Sequence, residues 1–369
     1  MIAFSSQTTT QILELACTLQ QIPAPTFSEQ PRLQFLRGLW QNLGFESIQM
    51  DTAGNLLACL PGSSGRPLVL TAHADTVHPL GTDLTLTHEA DRLLGPAIGD
   101  NSLGVAAMTH AILWLRENAF IPPGDLWFAA TVGEEGLGNL SGVRAVVERF
   151  QAKPVAYIHL EGMGLGSVFH RGLGVQRYQI TVRTAGGHSW ANYGSPSAIH
   201  AIAQLVTGFT QIPIPTKPRT SLNVGKISGG ISVNSIASQA SLELDLRSES
   251  PQSLAQLVKA VQNLIQSAQR PGIEIDTVEI GSRPAGEIPE SHPLVQLAVR
   301  TLTDCGQAVY LSIASTEANI PLSLGLPSIC VGITHGGSAH TLQEWIALEP
   351  ISIGFRQVLT LLTQAWKTA

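Results

Sequence analysis

Three apolar runs in this chain each stop at an ionisable residue. Residues 67–72 lead into His73, residues 125–132 into Gly133-Glu134-Glu135, and residues 155–160 into Glu161. Short, nearly continuous apolar runs are what strands buried on both faces look like. Helical spacing separates them: 8–20 and 32–43 before the first run, 104–116 before the second, 141–150 before the third. Further strands are expected at 47–50 and 55–60. This alternation predicts an α/β domain with a mixed or largely parallel central sheet flanked by helices. Such sheets gather ligands beyond the carboxyl ends of their strands, where all three runs deliver their charge. A buried charge is costly unless it is paired or bound to metal.

The pattern changes after Gly174. Residues 175–184 alternate polar and apolar, as a half-exposed strand does. A helix (197–209), two strands (221–227 and 238–246), a helix (251–268) and a strand (273–280) follow. This β-α-β-β-α-β order predicts a ferredoxin-like α+β unit inserted into the first domain. The chain then resumes with a helix at 293–302, an apolar strand at 327–333 and a last helix at 349–366. The expected division is 1–174 with 285–369 for one domain and 175–284 for the other.

Composition narrows the partners. Only 13% of residues are charged, the formal net charge is −6, and no long basic run occurs. Nucleic acid and anionic membrane surfaces are therefore poor partners. The four cysteines form no CxxC pair, so neither a thiolate zinc site nor a disulfide framework is indicated. The N-terminus lacks a basic stretch followed by an apolar one, and the expectation is a cytoplasmic protein.

The chemistry sits in a few residues. His73 can bind a metal as a neutral imidazole, with Asp75 two residues on to orient it. Asp100 lies in a glycine-rich turn before a helix, where aspartate serves as an N-cap or as a carboxylate able to bridge two metals. Glu134 and Glu135 are adjacent like charges that a cation would reconcile. One could ligate while the other takes a proton. Glu161 is a further carboxylate. His340 and His335 compete for the same loop, and His159 reads as structural.

The segments AHADTV, GPAIGDNSLG, TVGEEGLGN, HLEGMG, TAGGHSW and GGSAHTLQEW stand here in the order found in the M20 family of zinc peptidases and deacylases. The chain resembles that family along nearly its whole length. The resemblance implies a zinc-peptidase catalytic domain with an inserted lid and dimerisation domain. It implies two divalent metal ions, zinc with cobalt or manganese as alternatives. His73, Asp100 and Glu161 would hold one, and Asp100, Glu135 and His340 the other. Asp75 would orient His73, and Glu134 would be the general base. The peptide bond after Asp100 would be cis. His188, in Gly186-Gly187-His188, would stabilise the oxyanion, reaching a partner's site in a homodimer. Asn234 and Arg247 match substrate-binding positions, with Arg171 a weaker candidate. Glu at position 161 leans towards a deacylase or carboxypeptidase acting beside a free carboxylate, on an N-acyl-amino acid or a small peptide. An aminopeptidase or dipeptidase of the same fold is the alternative, and a non-catalytic binding protein a more distant one. Two departures stand out. Asn101-Ser102 follows Asp100 where many members carry a lysine, and Glu317 stands where an aspartate is usual in a substrate loop.

Overall fold

A computed structural model describes residues 2–45 and 47–368. The chain divides into two compact units, Met1–Gly172 with Glu287–Ala369, and Leu173–Gly286. The joins fall two residues from the expected positions.

The first unit is built on a mixed sheet. Its strands are β1 (Ile48–Met50), β2 (Leu56–Leu60), β3 (Gly65–His73), β4 (Gly124–Thr131), β5 (Tyr157–Met163) and β6 (Ser167–Gly172). After the inserted unit, whose strands take β7 to β10, come β11 (Tyr310–Ala314) and β12 (Ser328–Thr334). The order is β1-β2-β4-β3-β5-β12-β6, with β11 against β6. The four central strands β4, β3, β5 and β12 are mutually parallel, and antiparallel neighbours flank them. Their carboxyl ends therefore share one edge.

Both faces of this sheet are covered, which is why its strands read as unbroken apolar runs. Leu68, Leu70 and Ala72 face a large core formed with α1 (Ser6–Gln20), α2 (Gln30–Asn42) and α3 (Gly104–Glu117), joined by α7 (Pro293–Asp304) and α9 (Ile351–Gln364). Val69 and Tyr157 face a smaller core under α4 (Ser141–Phe150) and α8 (Asn319–Ser323). By the two-residue period of a strand, Thr71 and His73 share a face with Val69. His159 and Glu161 likewise share one with Tyr157. The strand expected at 155–160 is shifted to Tyr157–Met163, so Glu161 lies within β5 rather than beyond its end.

The second unit has β7 (Gly174–Arg183), α5 (Ala198–Thr210), β8 (Thr220–Gly229), β9 (Gln239–Ser248), α6 (Pro251–Ala268) and β10 (Glu274–Arg283). The sheet order β8-β9-β7-β10, antiparallel throughout, is the ferredoxin-like arrangement. Its core packs both helices on one sheet face, through Ile202, Leu205, Leu257 and Val261 against Ile180, Leu242 and Leu244. No described helix is long and apolar enough to cross a membrane.

Candidate metal centre

Two groups of three side chains converge at the carboxyl edge of the main sheet. His73, Asp100 and Glu161 form one, and Asp100, Glu135 and His340 the other; within each, the donor atoms lie within 4.8 Å of one another. Asp100 belongs to both. Its Oδ1 lies 3.1 Å from His73 Nε2, and its Oδ2 lies 3.1 Å from His340 Nε2. His73 Nε2 is 3.5 Å from Glu161 Oε2, and His340 Nε2 is 3.2 Å from Glu135 Oε1. Zinc bonds of about 2.0–2.2 Å at tetrahedral angles would place neighbouring donors roughly 3.3–3.6 Å apart. The nitrogen–oxygen donor set and its spacing therefore fit two divalent cations sharing one carboxylate. Glu134, also buried, groups with His73 and Glu135 at the same spacing.

Each member is braced. Asp75 is fully buried, accepts the N–H groups of Glu134 (3.0 Å) and Glu135 (2.9 Å), and takes a hydrogen bond from the Thr26 hydroxyl. It thereby holds the two-glutamate turn while its Oδ1 stands 3.5 Å from His73 Nδ1. His73 Nδ1 also lies 3.2 Å from the Asp75 carbonyl oxygen. With Nδ1–H donating there, Nε2 is the ring nitrogen turned towards Asp100 and Glu161. Glu29 accepts the Gly133 N–H from the other side of the turn. The buried Arg32 donates to the carbonyls of Ile22 and Ala74, fixing the end of β3.

Asp100 is not an N-cap. The residue preceding α3 is Leu103, with no capping side chain, and Asp100 lies in an irregular turn with a cis Asp100–Asn101 bond. Asn101 pins that turn to β5: its Nδ2 donates to the Leu160 carbonyl, and its Oδ1 accepts the Gly162 N–H. The two bonds bracket Glu161. Gly162 permits the approach, since a Cβ there would collide with the Gly99 carbonyl. From the opposite side the buried Glu344 accepts the N–H groups of Gly99 (2.7 Å) and Asp100 (2.8 Å). Glu344 follows His340 in its loop, so one carboxylate links the Asp100 turn to the loop that carries His340. His340 itself has a left-handed backbone (φ +66°), sparsely populated by residues other than glycine. The loop is pinned by pairing of Gly336–Gly337 with Trp345–Ala347. His335 is exposed and joins no such group.

The electrostatics are those of concentrated negative charge. Burial alone would depress the His73 ring, but Glu161, Asp100 and Asp75 outweigh it and hold it well above the usual histidine range. Hydrogen bonds to Asp100 and Glu135 raise His340 to about 10. Burial pushes Asp100 upward, yet the two histidines overcome it and hold the carboxyl below the usual range. Burial raises Glu161 to about 7 against the pull of His73. Burial, reinforced by the charge of Asp100, raises Glu344 to about 7 as well. Cations bound here would offset the same concentration of negative charge.

The remaining candidates fall elsewhere. Arg171 pairs with Glu287 at 3.0 Å. In the second unit His188 is exposed, and its Nδ1 accepts the N–H groups of Trp190 (3.2 Å) and Ala191 (3.4 Å). That assigns the ring proton to Nε2. Pairing of Gly187–His188 with Ser235–Ile236, and the Ser189 N–H bond to the Asn234 carbonyl, bring His188 and Asn234 together. Arg247 bonds Asp245, which Arg177 also holds. Asn101, Glu344, Thr26 and Glu29 were not foreseen as site residues. Glu344 stands within the GGSAHTLQEW segment, which was the only signal for it.

A mixed sheet with clustered imidazole and carboxylate groups at the carboxyl edge of its parallel strands defines an α/β protein with a candidate site for divalent cations. Residues 69–364 match Peptidase family M20/M25/M40, and the chain belongs to that family of hydrolases. It is 25% identical to carboxypeptidase G2 of Pseudomonas sp., over 74% of this chain and 68% of that one. It is 22% identical to succinyl-diaminopimelate desuccinylase of Corynebacterium glutamicum, over 90% and 91%. Among solved structures, aminopeptidase PepT of Bacillus cereus aligns with a TM-score of 0.78 at 20% identity, covering 97% of this chain and 99% of that one. YxeP of Bacillus subtilis, described as a dinuclear metal binding peptidase from the M20 family, aligns at 0.71 and 15% identity, covering 99% and 100%. At these identities the two structures establish the fold alone.

Proposed function

We propose that this chain is a co-catalytic hydrolase that cleaves an amide bond next to a free carboxylate, as an N-acyl-amino acid deacylase or a carboxypeptidase. The observation that carries it is the pair of three-residue groups sharing Asp100, one carboxylate oxygen to each histidine. His73, Asp100 and Glu161 would hold one divalent cation, and Asp100, Glu135 and His340 the other; zinc suits the donors, as cobalt and manganese also do. Bound there, the cations supply Lewis acidity, polarising the scissile carbonyl and lowering the pKa of water. Glu134 accepts the proton from the attacking water and returns it to the leaving amine. Asp75 keeps the His73 ring turned with Nε2 towards the site. His188 presents Nε2–H and is suited to donate to the developing oxyanion. Arg247, Asn234 and Arg171 are the candidates for the substrate carboxylate. A homodimer through the second unit is supported by the edge strand β8 and by the exposed Trp190, Tyr193, Ile231 and Val233 beside His188 and Asn234.

The test is a panel of N-acyl-amino acids, dipeptides and tripeptides with zinc-loaded protein. Turnover of substrates with a free carboxylate beside the scissile amide is expected, and Glu134→Ala lowers kcat about 10²–10⁴-fold with two cations still bound. Turnover confined to substrates with a free amine would instead establish the aminopeptidase alternative. A wild-type protein that binds no metal sinks both.

A further inference from the structure

One buried carboxylate in the first unit has no place in the scheme above. Glu317, in the turn before α8, is 2% exposed. The turn is tied by the Thr316 N–H bond to Asn319 Oδ1 and the Ala318 N–H bond to Thr316 Oγ1, which directs the Glu317 side chain inward. There it accepts a hydrogen bond from the Thr71 hydroxyl. Thr71 lies on β3 two residues before His73, on the same face. Its register partner on β5 is His159, two residues before Glu161. The strands thus carry an apolar rung (Val69 with Tyr157), a polar rung (Thr71 with His159), and then the ligand candidates His73 and Glu161.

The polar rung has a fixed direction. An ionised Glu317 only accepts, so Thr71 donates to it and its oxygen is left to accept from His159 Nδ1, 2.7 Å away. His159 Nε2 then faces Ser328 Oγ at 3.2 Å. His159 Nδ1 is itself 3.8 Å from Glu317 Oε2. Burial works against the charge on Glu317, yet the neighbouring His159 and His73 outweigh it and hold the carboxyl below its usual range. Charge buried in this way persists where something positive stands close by.

We infer that Glu317 is a positioning residue, a buried carboxylate that ligates nothing but braces the floor of the His73–Asp100–Glu161 site and strengthens its hold on a divalent cation. The inference rests on the two-cation reading. Its charge acts from below the ligands, and the Thr71–His159 rung locks the two strands that carry His73 and Glu161. Partners of this kind, behind the ligands, set metal affinity about 10–100-fold.

The experiment is zinc titration against a chromophoric chelator, using wild type, Glu317→Gln and Thr71→Val, with the melting temperature of each recorded with and without zinc. Glu317→Gln keeps the shape and removes the charge. One of the two zinc equivalents should bind about 10–100-fold more weakly. The metal-free melting temperature should stay level or rise, and the gain on adding zinc should shrink. Thr71→Val keeps the charge and cuts the rung, and should weaken the same equivalent to a smaller extent. It carries the test if Glu317→Gln fails to fold. Wild-type zinc affinity in the variants that fold overturns the inference while leaving the two-cation reading intact. So does weaker binding matched by an equal fall in the metal-free melting temperature, which marks a merely structural role. A wild type that takes up no zinc overturns both.

Discussion

The carboxyl edge of the first unit's sheet, with its candidate metal ligands, and the His188 region of the second are built to different standards. At the first, almost every candidate ligand is gripped from behind by a buried partner: His73 by Asp75, Asp100 by Glu344 and Asn101, the Glu134–Glu135 turn by Asp75 and Glu29. At the second, His188 and Asn234 sit on exposed turns among exposed apolar side chains, held by a few backbone hydrogen bonds. Geometry around a cation must be accurate to a fraction of an ångström, and bracing of this kind is what sets it in advance. A hydrogen-bond donor that meets its target only when substrate binds can be carried on an exposed turn. Damage in the first region should therefore register as lost metal and lost stability, and damage in the second as lost turnover alone.

The sharpest break between them is His188→Ala. On the oxyanion role proposed for His188, its loss should lower kcat about 10²–10³-fold. Zinc stoichiometry and melting temperature should match wild type, because the ring is exposed and its contacts are local. Steady-state kinetics with metal analysis and calorimetry decide it. A variant that loses zinc, or one that turns over normally, would dissolve the contrast.

Asn101→Ala probes the first region from the same angle. It strands the Leu160 carbonyl and the Gly162 N–H, both packed against Glu161. Two buried groups without partners cost about 2–4 kcal/mol together. Chemical denaturation should show that loss, and zinc affinity should fall with it because Asp100 and Glu161 are no longer registered. Unchanged stability would mean that the glycine contacts, not the amide, hold the turn.

What could be read from the sequence follows the same division of labour. Strands buried on both faces leave unbroken apolar runs, so β3, β4 and β5 and the charges they deliver were legible. The six family segments then drew Asp100 and His340 into the same group. Asp75, two residues after His73, was legible as a brace; the distant ones were not. Glu344 acts through two backbone N–H groups some 245 residues away in sequence, and Glu317 through a hydroxyl 246 residues away. Such contacts have no period and no spacing rule, and the chain must fold before they exist. Asp100 shows the converse. A glycine turn before a helix is where local chemistry expects an N-cap, and only the family segments argued for a ligand there; in the structure the turn held by Asn101 and Glu344 sets the carboxylate between two histidines. His159, read as structural, gains its meaning only from the register that sets it beside Thr71.

The smallest effect lies in the second unit and concerns acid stability. Asp245 bonds Arg247 at 2.7 Å and Arg177 at 2.8 Å. Burial pushes its carboxyl up, but the two guanidinium groups outweigh it and hold the value below the ordinary 3.8. A carboxylate whose folded value is depressed stabilises the fold fully above its unfolded value, and the contribution fades as pH falls through the folded one. The window is therefore below about pH 4. Asp245→Asn should flatten the stability profile there, and lower stability slightly at neutral pH by removing the charge that both arginines share. Arg247 adds a functional arm. If it is recruited to a substrate carboxylate, Asp245 competes for it, and Asp245→Asn would lower KM while kcat stays level. If Arg247 serves only the strand, KM is unmoved and the acid slope alone changes. Denaturation profiles from pH 2 to 7, set beside KM for an N-acyl-amino acid, separate a structural ion pair from a substrate anchor held in reserve.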